Sequence, residues 1–294
     1  HSHLEITAMR GALDAVEDNF AAWLLKLSAI RTELGEDGVR KGALVGAREG
    51  AAAGVTCFGD IGRMGRVGLE ALTATGLRGI VFQETEFTPD NRTAKDDFNE
   101  LAFYEKFGVE WSSPFSTPIK YLERLGVLAT RPLLVHCVRV TDSDIERIEA
   151  NGASVAHCPK SNAKFGHGAA PLEKFLDAGV TVGLGSDSVA SNNVCDLIEE
   201  SRFAVLTARN HPDSKRLITA REILECATLG GAKALGLDDL IGTLEAGKEA
   251  DLAVIDLTHD AQGPVTDIYA ALVFSSNARD VKQTIVAGKT VYER

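Results

Sequence analysis

Two histidines and one aspartate close or follow short apolar runs, and two further histidines open the chain. His1-Ser2-His3 spaces two imidazoles at i and i+2, which share one face of an extended strand, so both can reach a single divalent ion. Leu133-Leu134-Val135-His136 and Ser154-Val155-Ala156-His157 each end on an imidazole, and Thr181-Val182-Gly183-Leu184-Gly185-Ser186-Asp187 ends on a carboxylate. Two imidazoles and an acid (His1, His3, Asp187) suit zinc or iron(II) with a position left for water. Zinc lowers the pKa of such a water to about 7, which makes hydroxide available at neutral pH. In that scheme Asp187 accepts the water's proton, and His136 orients the nucleophile or polarises the substrate.

Each group alone has a plainer reading. A His-x-His at a chain start is commonly a tag remnant or a surface pair. His136 and His157 suit satisfied core histidines, and Asp187 suits an N-cap. Their order favours chemistry: the groups close separate strands of a repeating β/α chain, and the acid comes last. Glu5, His157, His167 and Asn192 are weaker candidates for substrate contact, each equally readable as a cap, a core or a loop residue. Lys160 is read as solvated, and Phe20 and Trp23 as core.

The elements that must position these groups alternate strand-like runs with amphipathic helices, the pattern of a parallel α/β fold. Helices are predicted from Leu13 to Leu34 and from about Gly38 to Ala53, then over 67–75, 142–150, 171–178, 194–209 and 219–236. Strands are predicted over 55–58, 79–82, 133–138, 154–158 and 181–185. With one more to deliver His1, that makes six parallel strands. A closed (β/α)8 TIM-type barrel needs eight, and a βαβ unit takes about 30 residues, so the shortfall is on the order of 60. Between Glu84 and Leu133 the sequence predicts a polar loop, a helix near 93–107, a turn at 112–118 and another helix, but no buried strand. From residue 238 onward the texture changes to turns and alternating strands around Gly288-Lys289, part of a small β-sandwich. The predicted division is therefore 1–237 for the barrel and 238–294 for the β unit.

Composition limits the partners. The 294 residues are 45% hydrophobic and 25% charged, ordinary for a globular protein, and the net charge of −11 argues against nucleic acid. No apolar run approaches the roughly 20 residues a bilayer span requires, and the chain opens without a secretory leader pattern. Five scattered cysteines without a Cys-x-x-Cys pair point to a reducing cytoplasm. The expected partner is a small-molecule substrate, with no membrane; a homodimer is left open.

His1-Ser2-His3-Leu4-Glu5, Leu134-Val135-His136-Cys137, Ala156-His157-Cys158-Pro159-Lys160-Ser161-Asn162 and Gly183-Leu184-Gly185-Ser186-Asp187-Ser188 together resemble the amidohydrolase superfamily. The branch they resemble holds cytosine deaminase, S-adenosylhomocysteine deaminase and triazine hydrolase. Within it, His3-Leu4-Glu5 and Ser188-Val189-Ala190-Ser191-Asn192 look most like aminofutalosine deaminase-like proteins. Gly242 to Leu252 resembles the family's return into its β-sandwich. The resemblance implies one divalent metal, zinc or iron(II), held by His1, His3 and Asp187, with His136 assisting hydroxide and Asp187 also shuttling protons. The implied reaction is hydroxide attack at a ring carbon bearing an amino group, with ammonia leaving a purine-like or pyrimidine-like ring.

The chain departs from that pattern in one respect. The family's His-x-x-Glu motif on the fifth strand, which supplies a third metal histidine and a proton-delivering glutamate, is absent, and no histidine lies between His3 and His136. The two missing strands would fall at a junction near Leu101 to Phe103. The alternatives are a triazine-type chlorohydrolase or aminohydrolase, and an inactive barrel serving as a binding or oligomerisation module.

Overall fold

The computed structural model describes residues 1–84 and 117–294. The helix expected at 93–107, most of the turn at 112–118 and the junction near Leu101 to Phe103 lie outside them. Five parallel strands form the body: β1 (Cys57–Gly62), β2 (Arg78–Gln83), β3 (Leu133–Val135), β4 (Ser154–His157) and β5 (Thr181–Leu184). β1 pairs with β2, and β3, β4 and β5 pair in that order, all parallel. The expected strand carrying His1 is reduced to one residue. Ser2 bridges Asp60 on one side and Asp187 on the other, both in parallel sense. Its N–H donates to Gly59 O at 2.9 Å, its carbonyl accepts from Ile61 N–H at 2.9 Å, and Asp187 N–H donates to His1 O at 3.1 Å. The strands therefore follow one another as β2, β1, the His1–His3 segment, β5, β4, β3.

Helices cover the outer side of this arc. α1 (Phe20–Ala52) is capped by Asn19, whose side chain accepts from Ala22 N–H, and is interrupted at Gly35, which has φ 61°. The helix expected from Leu13 therefore begins later, at the residue after its cap. Leu13 and Val16 still pack with Phe20 and Trp23, but from short 3-10 turns rather than a helix. The strand expected at Val55 begins at Cys57, because Val55 N–H still closes the end of α1 on Gly50 O. α2 (Gly65–Thr75) links β1 to β2.

One core packs Val155, Val182 and Leu184 of β4 and β5 against Ile148, Phe175 and Val205 of their helices. A second packs Phe58 of β1 against Ala47 and Ala51 of α1 and Leu72 of α2. Phe175 and Ile148 are fully enclosed, and burying a side chain of that kind stabilises by about 1.5–3 kcal/mol. The helix Ala220–Glu225 passes through a π turn, Cys226–Gly230, into Gly231–Ala234. β6 (Leu252–Ile255), β7 (Val281–Val286) and β8 (Lys289–Glu293) form a separate antiparallel sheet. The guanidinium of Arg78 ties that sheet to β2 by donating to both oxygens of Asp251 at 2.7 and 3.0 Å. Among the described residues, no helix is long and apolar enough to cross a membrane.

Candidate metal centre

The sequence places a residue of unusual backbone where each strand delivers a site group. β3 stops at Val135 because His136 (φ 69°) and Cys137 (φ 44°) are both left-handed, which cuts short the strand expected to reach Val138. Asp187, just past β5, has φ 56°. Such conformations in non-glycine residues cost of order 1–3 kcal/mol and gather where a side chain must be aimed. Gly185 allows the close approach of the first residue: a Cβ there would lie 2.9 Å from both the N and the Cβ of His1.

His1, His3 and Asp187 converge. Nε2 of His1 lies 3.4 Å, and Nε2 of His3 3.5 Å, from Oδ1 of Asp187. One ligand atom from each falls within 4.8 Å of the others. The His1 side chain is 4% exposed, that of His3 28% and that of Asp187 10%, so the cluster is buried on one side and reachable on the other. Nδ1 of His3 meets Ile61 O at 2.9 Å. A carbonyl only accepts, so the ring proton sits on Nδ1 and Nε2 carries the lone pair a metal would take, the usual arrangement behind a metal histidine. Oδ2 of Asp187 accepts from Ser161 Oγ at 2.6 Å and from Ser191 Oγ at 3.0 Å, which leaves Oδ1 to face the imidazoles. The donor set fits a divalent ion of the zinc type.

The other candidates fall around this trio. The His136 ring stands edge-on to His1 at 6.2 Å between centroids. His157 is buried, and burial, reinforced by the neighbouring His136, pulls its pKa down to about 4; it is a neutral imidazole at pH 7. Glu5 is buried too: it accepts from Met64 N–H at 3.0 Å and pairs with Arg31 at 3.2 Å, so it fastens the turn after His3 to the start of α2 and to α1. Asn192 is buried and donates to Ser186 O at 2.7 Å and to Glu200. His167 stacks on Phe165 at 5.4 Å and meets Phe20 edge-on at 5.7 Å, within the aromatic cluster that also holds Trp23. Lys160, read as solvated, instead pairs with Glu199 at 3.1 Å and is 14% exposed.

Sequence reasoning missed the groups that hold the trio in place. Ser161 and Ser191 lie inside motifs quoted above, but nothing in their spacing announces that both hydroxyls meet one carboxylate oxygen. Asp60 accepts from Leu4 N–H at 2.8 Å and from Ser2 Oγ at 3.1 Å, and burial pushes its pKa up to about 6. A cavity of about 710 Å³ lies behind His1, lined by Cys57, Gly59 and Gly183 of the strands and by Ala232 and Leu235. His3, His136 and Asp187 do not line it.

Comparison with known proteins now has a geometry to meet. The amidohydrolase family signature matches residues 99–291. A 5-methylthioadenosine/S-adenosylhomocysteine deaminase of Halobacterium salinarum is 31% identical over 344 residues, covering 99% of this chain and 79% of the relative. The same enzyme of Moorella thermoacetica is 41% identical over 179 residues, 61% of this chain and 42% of its own length. Among solved structures, a zinc-bound adenosine deaminase from Xanthomonas campestris superposes with a TM-score of 0.86 at 24% identity, over 99% of this chain and 78% of its own. A zinc-bound atrazine chlorohydrolase from Arthrobacter aurescens follows at 0.83 and 23%, over 100% and 82%. These structures share the fold. The Halobacterium match runs over 344 residues, 50 more than the 294 of this chain. The chain belongs to the amidohydrolase family, on its deaminase branch.

Proposed function

We propose that the protein is a mononuclear-metal deaminase that hydrolyses the exocyclic amino group of a purine-like ring, with 5-methylthioadenosine-type nucleosides first among the substrates to try. The observation that carries this reading is the meeting of His1 Nε2, His3 Nε2 and Asp187 Oδ1 within 4.8 Å at the ends of parallel strands. His1, His3 and Asp187 would hold one ion, zinc or iron(II). When bound, such an ion supplies the Lewis acidity that makes water a nucleophile near neutral pH.

The chain's own residues do the rest. Asp187 takes up the proton that the nucleophile loses, because its Oδ1 faces the imidazoles while two serines fix Oδ2. His136, whose ring lies 6.2 Å from that of His1, would orient the nucleophile or polarise the substrate. The nucleoside preference rests on the relatives named above, which are 5-methylthioadenosine/S-adenosylhomocysteine deaminases. The arc from β2 to β3 is read as six strands of a (β/α)8 barrel, with residues 1–237 as that body and 238–294 as the β unit beside it. The sequence carries no His-x-x-Glu, the motif that in the family resemblance supplies a third metal histidine and a proton, so little turnover is expected of this chain and full turnover of a longer one that carries the motif.

The test is ammonia release, read with the loss of adenine absorbance, after zinc loading of both chains. Methylthioadenosine, S-adenosylhomocysteine, adenosine and cytosine serve as the panel, with a chlorinated triazine read by chloride release. Ammonia from at least one nucleoside supports the proposal. Chloride release without ammonia would transfer it to the triazine-hydrolase chemistry, and neither product from the longer chain would defeat it.

A further inference from the structure

Glu200 is 0% exposed on the helix Leu197–Arg209, away from the metal trio, and the scheme above gives it no part. Burying a carboxyl is unfavourable unless its oxygens are occupied. Both are. The Nδ2 of Asn192 donates to Oε1, and the N–H of Lys160 lies 3.4 Å from Oε2, a long contact. The orientation of the Asn192 amide is set by its second bond, because it reaches Ser186 O at 2.7 Å and a carbonyl can only accept. Both contacts of Glu200 therefore lead toward Asp187, one through Asn192 to Ser186 and the other directly to Lys160. Ser186 precedes Asp187, and Lys160 precedes Ser161, whose hydroxyl donates to Asp187 Oδ2 at 2.6 Å.

We infer that Glu200 is the positioning residue of the centre: it clamps the Lys160-Ser161 turn and the Ser186-Asp187 turn to one helix and so aims the carboxylate of Asp187. Asn192 is the arm of this clamp. The inference rests on Asp187 being a metal ligand, as proposed above, but its mechanical content does not. Without Glu200, the left-handed turn at Asp187 loses the support that reaches it through Asn192, and Ser161 loses the anchor of its neighbour. Burial pushes the Glu200 pKa up to about 8. Both of its partners are donors, so glutamine keeps the Asn192 bond through its amide oxygen and gives up only the long Lys160 contact.

The test uses the chain as it stands, with Glu200→Ala, Glu200→Gln and Asn192→Ala. Zinc affinity is measured by competition against a chromophoric chelator, and amide hydrogen exchange is followed in peptides covering Ser186–Asn192. Loss of a group that orients a ligand typically weakens metal binding by about 10–100-fold. Glu200→Ala and Asn192→Ala are expected to weaken zinc about tenfold and to speed exchange in Ser186–Asn192, with β3 and β4 unchanged. Glu200→Gln is expected to stay within about threefold of the parent. A folded Glu200→Ala chain with parental affinity and exchange overturns the inference. If Glu200→Ala does not fold, Asn192→Ala decides on the same two readouts. Absence of zinc binding in the parent would defeat the metal reading alone, because the exchange arm still tests whether Glu200 holds the Asp187 turn.

Discussion

Removing the hydroxyl of Ser161 probes the centre without touching a ligand. Ser161 and Ser191 are 2% and 3% exposed, and both donate to Oδ2 of Asp187, at 2.6 and 3.0 Å. A hydrogen bond to a charged group contributes about 1.5–3 kcal/mol, and each 1.4 kcal/mol is tenfold in affinity. Full loss of one such bond from the charged, ligating form of Asp187 would thus weaken zinc by about 10- to 100-fold. Ser191 remains in the Ser161→Ala chain and keeps Oδ2 partly satisfied, which places the expected loss near tenfold. The Ser191 hydroxyl is shared with Ser188 O and Ser188 Oγ, each at 3.0 Å, so Ser191→Ala is expected to lose less, about threefold. The double variant leaves Oδ2 without either hydroxyl and is expected near 100-fold. Chelator competition at about pH 7, with circular dichroism to confirm folding, reads all three. A folded double variant that binds zinc as tightly as the parent would refute the reasoning, because Asp187 could not then be a ligand aimed by those serines.

Three further outcomes follow from the same structure. Zinc at about 100 times its Kd should stabilise the fold by about 2.7 kcal/mol, seen as a rise in Tm that His3→Ala abolishes; equal shifts in both chains would remove His3 from the site. His157 has its pKa drawn down from 6.5 to about 4, so the stability tied to its neutral ring is complete above pH 6.5 and is lost as pH falls toward 4. The loss amounts to about 3 kcal/mol at most, and urea unfolding of His157→Gln should show a flatter acid limb than the parent; parallel limbs would contradict the buried neutral ring. Gly230 has no room for a methyl group, since its Cβ would lie 2.1 Å from Val182 O. Gly230→Ala should destabilise by about 1–3 kcal/mol and lower Tm by several degrees, and an unchanged melting curve would show that the π turn does not press on β5.

The sequence makes the parallel strands legible because short runs such as Leu133–Val135 and Val182–Leu184 carry no charge and are followed by His136 and by Gly185. His1, His3 and Asp187 could be read from i, i+2 spacing and from their places at strand ends. Helix starts were less legible: Leu13 has the spacing of a helical residue, yet the cap that decides the boundary is Asn19. Strand ends at the site were misjudged where function bends the chain, since left-handed turns at His136 and Asp187 leave no mark in hydropathy. The supporting groups were the least legible. Glu200 follows Glu199 in an acidic pair that reads as a solvated helix face, and only packing shows that one of the two is enclosed. Of the weaker candidates for substrate contact, Asn192 donates to Ser186 O and Glu5 pairs with Arg31, contacts that hydropathy does not reveal.

The narrow bridge at Ser2 has a mechanical meaning. Two groups of strands, each held by its own ladder and its own packed helices, meet along a seam one residue wide. Few backbone bonds cross that seam, so the halves are held together mainly by side chains, with Val189, Ala190 and Cys195 packed against α1 and its approach and Cys195 N–H donating to Glu49 at 3.0 Å. The imidazoles ride on the seam itself and the aspartate on one flank. A cation gripping all three would therefore act as a rivet, and the molecule's stiffness along that line would report whether the rivet is in place.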